Sequence, residues 1–229
     1  MKKIERPPTL TSAVADAISD AIIRGDLLPG EPLHEVELSS MINTSRGTVR
    51  EALRLLQQDG LVEVIPYRGA FVTHLSPKKV EEIYTLRAQL EPYAVRLAKE
   101  NNTYTEQDIE ELADLVHTMG EMDNAGDYAE MIRTDMKFHA LICQRCDHQL
   151  LLDVLNNLQS LTLLFILSTK LYRSDMIRDD ASHNSVLESI KSSSPEQAEM
   201  VIRQHIKDAG TSLVRKMQEQ EKSPVEMKL

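Results

Sequence analysis

Thr44-Ser-Arg-Gly-Thr-Val-Arg-Glu-Ala-Leu-Arg-Leu-Leu-Gln-Gln-Asp-Gly60 decides how this chain is read. It has the form of one short helix, with hydroxyl residues at its start and glycine at its end. One face carries Val49, Ala52, Leu53 and Leu56 at core spacing; the other carries Ser45, Arg46, Thr48 and Arg50 in the first turns. Arginines at the exposed N-terminal end of an amphipathic helix suit a DNA major groove, where the planar guanidinium pairs with guanine O6 and N7. Taken alone, the same arginines could simply solvate a helix face.

The flanks favour the first reading. Upstream, Glu35 to Ile42 fits a second short helix, with Val36, Leu38, Met41 and Ile42 available for packing, joined at Asn43-Thr44 by the short connection of a helix-turn-helix. Downstream, Val62–Ile65 and Ala70–Thr73 are β-prone runs around Pro66-Tyr67-Arg68-Gly69, so they read as a hairpin. The expected unit is a winged helix-turn-helix, three helices plus a β-hairpin, with Arg68 and Gly69 at the wing tip.

The succession Ile23-x-Gly25-x-Leu27-x-Pro29-Gly30-x-x-Leu33, then Leu38, then Ser45-Arg46-x-x-Val49-Arg50-Glu51-Ala52-Leu53-x-x-Leu56-x-x-x-Gly60-Leu61, then Gly69-x-x-Val72 resembles the DNA-binding domain of GntR-type bacterial transcription regulators. The likeness spans roughly residues 11 to 75. It implies binding to double-stranded DNA at a short inverted repeat. Gly47-Thr48 departs from the pattern, in which a polar residue and then proline or threonine are usual. Glycine in a first turn costs about 1 kcal/mol of helix propensity but lets backbone approach DNA closely. An altered operator preference is expected, with binding retained.

Composition sets the wider frame. With 229 residues the chain can form two modest domains. Few aromatics, no tryptophan and abundant Leu, Ile and Met favour a helical protein. No stretch approaches the roughly 20 apolar residues that span a bilayer, and Met1 to Pro8 lacks the apolar core of a signal peptide. The chain therefore reads as cytoplasmic, without a membrane partner. The net charge of −10 excludes a generally sticky nucleic-acid binder. Residues 1–77 hold eight Lys/Arg against ten Asp/Glu. DNA binding must then rest on the local placement of Arg46, Arg50, Arg54 and Arg68, with weak nonspecific affinity and strong salt dependence.

Beyond the wing the pattern is helical throughout. Ser76-Pro77 and Ser194-Pro195 are cap-plus-proline starts, and Thr105-x-x-Asp108 resembles a capping box. Helices are expected at about 77–101, 105–124, 127–146, 148–170, 175–192 and 195–220. Leu150 to Leu167, apolar nearly all round, reads as a central buried helix. The domains are expected at 1–75, the winged helix-turn-helix, and 76–229, an all-α bundle that binds effector and dimerises. The tail after Gln220 is expected to fray.

Four residues of this half carry chemistry. Asp135 and His139 stand at i and i+4 on one helix face, and His183 and His205 lie on two later helices among apolar residues. A single imidazole facing a bundle is ordinarily a satisfied core histidine. Three imidazoles and a carboxylate together suit a divalent transition metal, with coordination left for water or an organic carboxylate. Asp135-x-x-Phe138-His139, then His183 ahead of Leu-x-x-Ile, then His205 also resembles the all-helical effector domain (FCD) of the FadR branch, over roughly residues 78–218. The resemblance makes Asp135, His139, His183 and His205 metal ligands; zinc, nickel, iron and manganese all remain open.

Arg87 falls in the apolar stripe Ile83, Leu86, Leu90, Ala94, Leu97 and needs a partner. Either it pairs with Glu91, one turn on, or it clamps the carboxylate of an effector. Nothing fixes the direction of Arg133 or Arg173. Cys143 and Cys146 form a lone C-x-x-C without a second pair or redox context, and read as reduced thiols. The sequence thus describes a ligand-responsive, homodimeric transcription regulator, a repressor by expectation, taking a small carboxylate effector. A regulator sensing the metal itself is the near alternative. A metal-dependent helical hydrolase or lyase is the distant one, because no H-E-x-x-H or nucleophile motif accompanies the ligands and an enzyme has no use for the 45–60 helix.

Overall fold

The computed structural model describes residues 9–74, 76–169 and 180–222. The chain divides into two compact units, Met1–His74 and Leu75–Leu229. Arg173, the start of the helix expected from 175 and the tail beyond 222 lie outside the described residues.

In the first unit α1 (Leu10–Arg24) starts where the Thr9 side chain accepts from the Ser12 N–H, and stops at Gly25, whose φ of 80° admits the left-handed turn. It packs on α3 (Arg46–Gln58) through Val14, Ile18 and Ile22 on one side and Val49, Ala52, Leu53 and Leu56 on the other. Between them in the chain comes α2 (Glu35–Met41), which packs on α3, and Asn43, at φ 53°, makes the turn into α3. Strand β2 (Val62–Ile65) pairs antiparallel with β3 (Gly69–Val72), from Val62↔Val72 to Ile65↔Gly69. A third strand not foreseen, β1 (Pro32–Leu33), pairs with β3 and gives the order β1-β3-β2. Two residues with a proline carry no alternation by which to recognise them. The hairpin turn closes with the Arg68 N–H on the Ile65 carbonyl at 3.0 Å.

The second unit consists of α4 (Pro77–Glu100), α5 (Glu106–Ala125), α6 (Tyr128–Gln144), α7 (Gln149–Thr169), α8 (Asp180–Ser192) and α9 (Pro195–Lys222). The foreseen caps are formed: Ser76 accepts from Lys79 N–H, and Thr105 and Asp108 cap reciprocally. Pro92 lies inside α4 and has no N–H to offer the Ala88 carbonyl. Arg203 of α9 fills that place, Nη1 donating to Ala88 O at 2.8 Å. The same long packing of α4 on α9 brings Gly210 against Tyr84, with no room for a side chain between them. Lys99 Nζ donates to the Ser189 and Ile190 carbonyls and so fastens the C-terminal turn of α8 to α4.

Helix α7 corrects the sequence reading. It buries Leu151, Leu155, Leu158, Phe165 and Ile166 against α4 and α6, but Leu150 is 75% and Val154 47% exposed. Apolar residues all round a helix show that it avoids water, not that this chain alone encloses it.

Candidate functional site

Three helices bring the imidazoles together. His139 from α6, His183 from α8 and His205 from α9 each offer a ring nitrogen, all within 4.8 Å of one another. His139 Nε2 lies 3.4 Å from His205 Nε2. Asp135, one turn before His139, places Oδ1 2.7 Å from His183 Nε2 and 3.7 Å from His139 Nε2. The Phe138 ring packs T-shaped against the rings of His139 and His183, with centroids 5.8 and 5.3 Å away.

The rings are oriented from behind. His139 Nδ1 meets Glu91 Oε2 at 2.7 Å, and His205 Nδ1 meets Ser182 Oγ at 2.5 Å. With Nδ1–H donating to Glu91, the Nε2 lone pair of His139 faces the cluster. Burial, then the neighbouring His139 and His183, lower the pKa of His205 to about 3, so this ring is neutral and able to ligate at physiological pH. Burial works against ionisation of Asp135, yet His139 and His183 hold its carboxyl far below the ordinary carboxylate range. Neutral imidazole with ionised carboxylate is the donor set a divalent cation requires.

Arg87 satisfies one of its two readings outright. Its Nε donates to Glu91 Oε1 at 2.5 Å, both side chains being buried. It lies over the Tyr84 ring, 5.0 Å from the centroid, and Nη1 reaches Thr162 Oγ1 at 3.5 Å. Arg87 also borders a cavity of about 270 Å³, together with Tyr84, Asp135, His139, His183 and His205. The chain Arg87–Glu91–His139 thus runs from the cavity wall to the imidazole cluster. Glu91 enters the sequence reading only as a partner for Arg87. Its contact with His139 spans 48 residues and has no local signal. Tyr84 and Ser182 had none either. Cys143 and Cys146 are buried free thiols outside the histidine cluster, and burial pushes the Cys143 pKa well up.

On the other unit, Ser45 caps α3 by accepting from Thr48 N–H at 3.1 Å, and the two hydroxyls meet at 2.8 Å. Arg46 is exposed and has no side-chain partner among the described residues. Arg50 makes a two-pronged ion pair with Glu35, and Arg54 pairs with Glu51. Arg68 and Gly69 are exposed at the wing, with the guanidinium of Arg68 5.5 Å from the Phe71 ring centroid. Tyr67, which the sequence reading places in the turn without a role of its own, is fully exposed there at a left-handed φ of 64°. No helix among the described residues is long and apolar enough to cross a membrane.

Comparison with known proteins agrees with both halves. Residues 10–72 match the bacterial regulatory proteins of the gntR family, and residues 82–208 match the FCD domain. The chain is 30% identical over 210 residues to the HTH-type transcriptional regulator YdhC of Bacillus subtilis, covering 89% of this chain and 90% of that one. It is 31% identical over 202 residues to the "Probable D-xylose utilization operon transcriptional repressor" of Paenarthrobacter nicotinovorans, covering 86% of each. The solved structure of Escherichia coli McbR/YncC superposes with a TM-score of 0.76 at 23% identity, covering 93% of this chain and 99% of that one.

Proposed function

This chain belongs to the gntR family of bacterial regulatory proteins and carries an FCD domain, and from that premise we propose a metal-dependent, carboxylate-responsive repressor. Residues 1–75 read a short inverted repeat in double-stranded DNA as one half of a homodimer in the cytoplasm. Ser45, Arg46, Thr48 and Arg50 face the major groove, and Arg68 and Gly69 reach from the wing. Residues 76–229 form the effector and dimerisation domain. Asp135, His139, His183 and His205 hold one divalent cation, with zinc, nickel, iron and manganese all compatible with the donors. The cation supplies a Lewis-acidic centre to which a carboxylate oxygen can bind. Arg87, at the wall of the same cavity, offers its remaining N–H groups to that carboxylate.

The observation that carries this reading is the convergence of three buried or half-buried imidazole nitrogens within 4.8 Å beside an ionised Asp135. Core histidines that only fill space have no reason to aim their nitrogens at one point. The relatives that share the architecture are named as transcription regulators, which are not enzymes. Two measurements test the proposal. Genomic fragments selected by the purified protein should share an inverted repeat that Arg50→Ala no longer enriches. Metal bound per chain, measured by mass spectrometry, should fall in His183→Ala; unchanged content removes that ligand assignment. Metal added to the apo-protein on its operator separates a metal sensor, which responds to the cation alone, from a regulator that also needs the carboxylate.

A further inference from the structure

We propose that Glu35 is a positioning residue of the DNA reader: it holds the Arg50 guanidinium side-on so that its far edge is presented to one guanine of the half-site. This rests on the reading of Arg50 as an operator contact. The two residues stand fifteen apart, Glu35 as the first residue of α2 and Arg50 in the second turn of α3. Arg50 Nε donates to Glu35 Oε1 at 2.7 Å and Nη2 to Oε2 at 2.6 Å. This parallel pair uses the Nε–H and one Nη2–H. It leaves the outer Nη2–H and the Nη1–H parallel to it as a second edge, without a protein partner among the described residues. That edge has the two parallel donors that match guanine O6 and N7.

The other recognition-helix arginines are held differently. Arg46 is unpaired among the described residues, and Arg54 leans on Glu51 of its own helix. Only Arg50, among these three, is fixed from a second helix. The pair is also reachable, with side chains 54% and 28% exposed. The Arg50 hydrogen bonds, opposed by burial and aided by the charges of Arg50, Arg46 and Arg54, keep the Glu35 carboxyl below its ordinary pKa, so the acid stays charged.

A carboxylate facing DNA lowers affinity for every sequence, because it repels phosphate. On a noncognate duplex Arg50 must leave Glu35 to find a phosphate, exposing that charge. At the cognate guanine the free edge is served with the pair intact. Glu35 therefore gives up general affinity for discrimination.

The test uses the full-length protein, a fluorescent duplex recovered by selection, and a shuffled duplex of the same composition. Glu35→Gln should bind the shuffled duplex more tightly without a matching gain on the selected one, so that the ratio of affinities falls about tenfold. Selection repeated with Glu35→Gln should show one degenerate position in each half-site. On an Arg50→Ala background Glu35→Gln should shift both duplexes by the same factor. Equal shifts on the two duplexes in the presence of Arg50, or no shift on either, overturn the positioning role, since charge alone explains the first and no role the second. A melting temperature at the wild-type value confirms that the fold is not what changed. Wild-type protein that does not distinguish the two duplexes would instead remove the operator reading itself.

Discussion

Replacing Glu91 with glutamine should damage stability and metal binding together. Glu91 is fully buried and its oxygens are divided, Oε1 accepting from Arg87 Nε at 2.5 Å and Oε2 facing His139 Nδ1 at 2.7 Å. Burial pushes its pKa up, but the charge of Arg87 and then His139 bring it down to about 2. Glutamine keeps the shape and offers one acceptor and one donor. Whichever way the amide is turned, its NH2 confronts either the Arg87 N–H or the His139 N–H. A buried guanidinium also loses its counter-charge. Breaking a buried ion pair from one side costs about 3–5 kcal/mol. At about 2–4 °C per kcal/mol for a domain of this size, the melting temperature should drop by roughly 6–20 °C. With the carboxylate behind His139 gone, zinc affinity should fall about 10- to 100-fold, the usual effect of losing an outer-shell partner. Calorimetry on the metal-free protein and zinc competition with a chromophoric chelator read the two effects separately. A melting temperature within about 2 °C of wild type, with zinc affinity unchanged, would refute the reasoning.

Three further changes probe other parts of the molecule. A Cβ at Gly47 would meet only Ser45 Oγ, at 3.7 Å, so Gly47→Ala should raise helix stability by up to about 1 kcal/mol while weakening operator binding; equal binding by anisotropy would show that DNA does not approach this backbone. A Cβ at Gly210 would lie 2.6 Å from Tyr84 Cβ, so Gly210→Ala should cost about 1–3 kcal/mol by overpacking and also disturb Arg87, which lies over the Tyr84 ring; a wild-type melting curve would contradict this. Hydrogen bonds from Arg145, opposed by burial and aided by Thr105, lower the pKa of Asp108 to about 2. A depressed carboxylate stabilises fully above its unfolded pKa of about 4, and that contribution disappears as pH falls through the folded value. The urea midpoint should therefore drop more steeply between about pH 4 and pH 2 in wild type than in Asp108→Asn, and parallel curves would exclude the pair as a contributor.

What the sequence disclosed depended on how far apart the interacting residues lie. Ser45, Ser76-Pro77 and Thr105 with Asp108 act on backbone three residues away, so their helix starts were legible and are formed. Arg87 and Glu91, one turn apart, could be paired on paper and are paired. Asp135 and His139 could be placed on one face and His183 and His205 on two later helices among apolar residues, and residue type with family likeness grouped the four. Their convergence within one cluster had no local signal, because nothing local aims a side chain across a bundle. The Glu91–His139 and Glu35–Arg50 contacts stayed hidden for the same reason. Helix α7 shows the opposite failure, since apolar composition gave the right element and too much burial. The wing turn shows a third. Pro66 and Gly69 are its turn formers by sequence, yet Tyr67 as well as Gly69 adopts a positive φ, a conformation usually left to glycine or asparagine.

Charge in the cavity beside the imidazole cluster leads to one further expectation. Arg87 brings one positive charge, and Glu91 and Asp135 bring one negative charge each. At a pH high enough for all three imidazoles to be neutral, the protein alone leaves the site one charge negative, and it repels a carboxylate. A divalent cation reverses that balance to one positive, which a single monocarboxylate neutralises. Unit charges about 4 Å apart interact by about 4 kcal/mol at an effective dielectric constant of 20, so even after desolvation the cation should improve carboxylate affinity by well over tenfold. Under the proposed function, binding is therefore ordered, metal before effector. The two affinities are also linked, so that carboxylate tightens metal by the same factor. Calorimetric titration with a small monocarboxylate such as acetate, run with metal-free and zinc-loaded protein, measures that factor directly. Equal carboxylate affinity in the two states would mean that the cluster and the cavity do not act as one site.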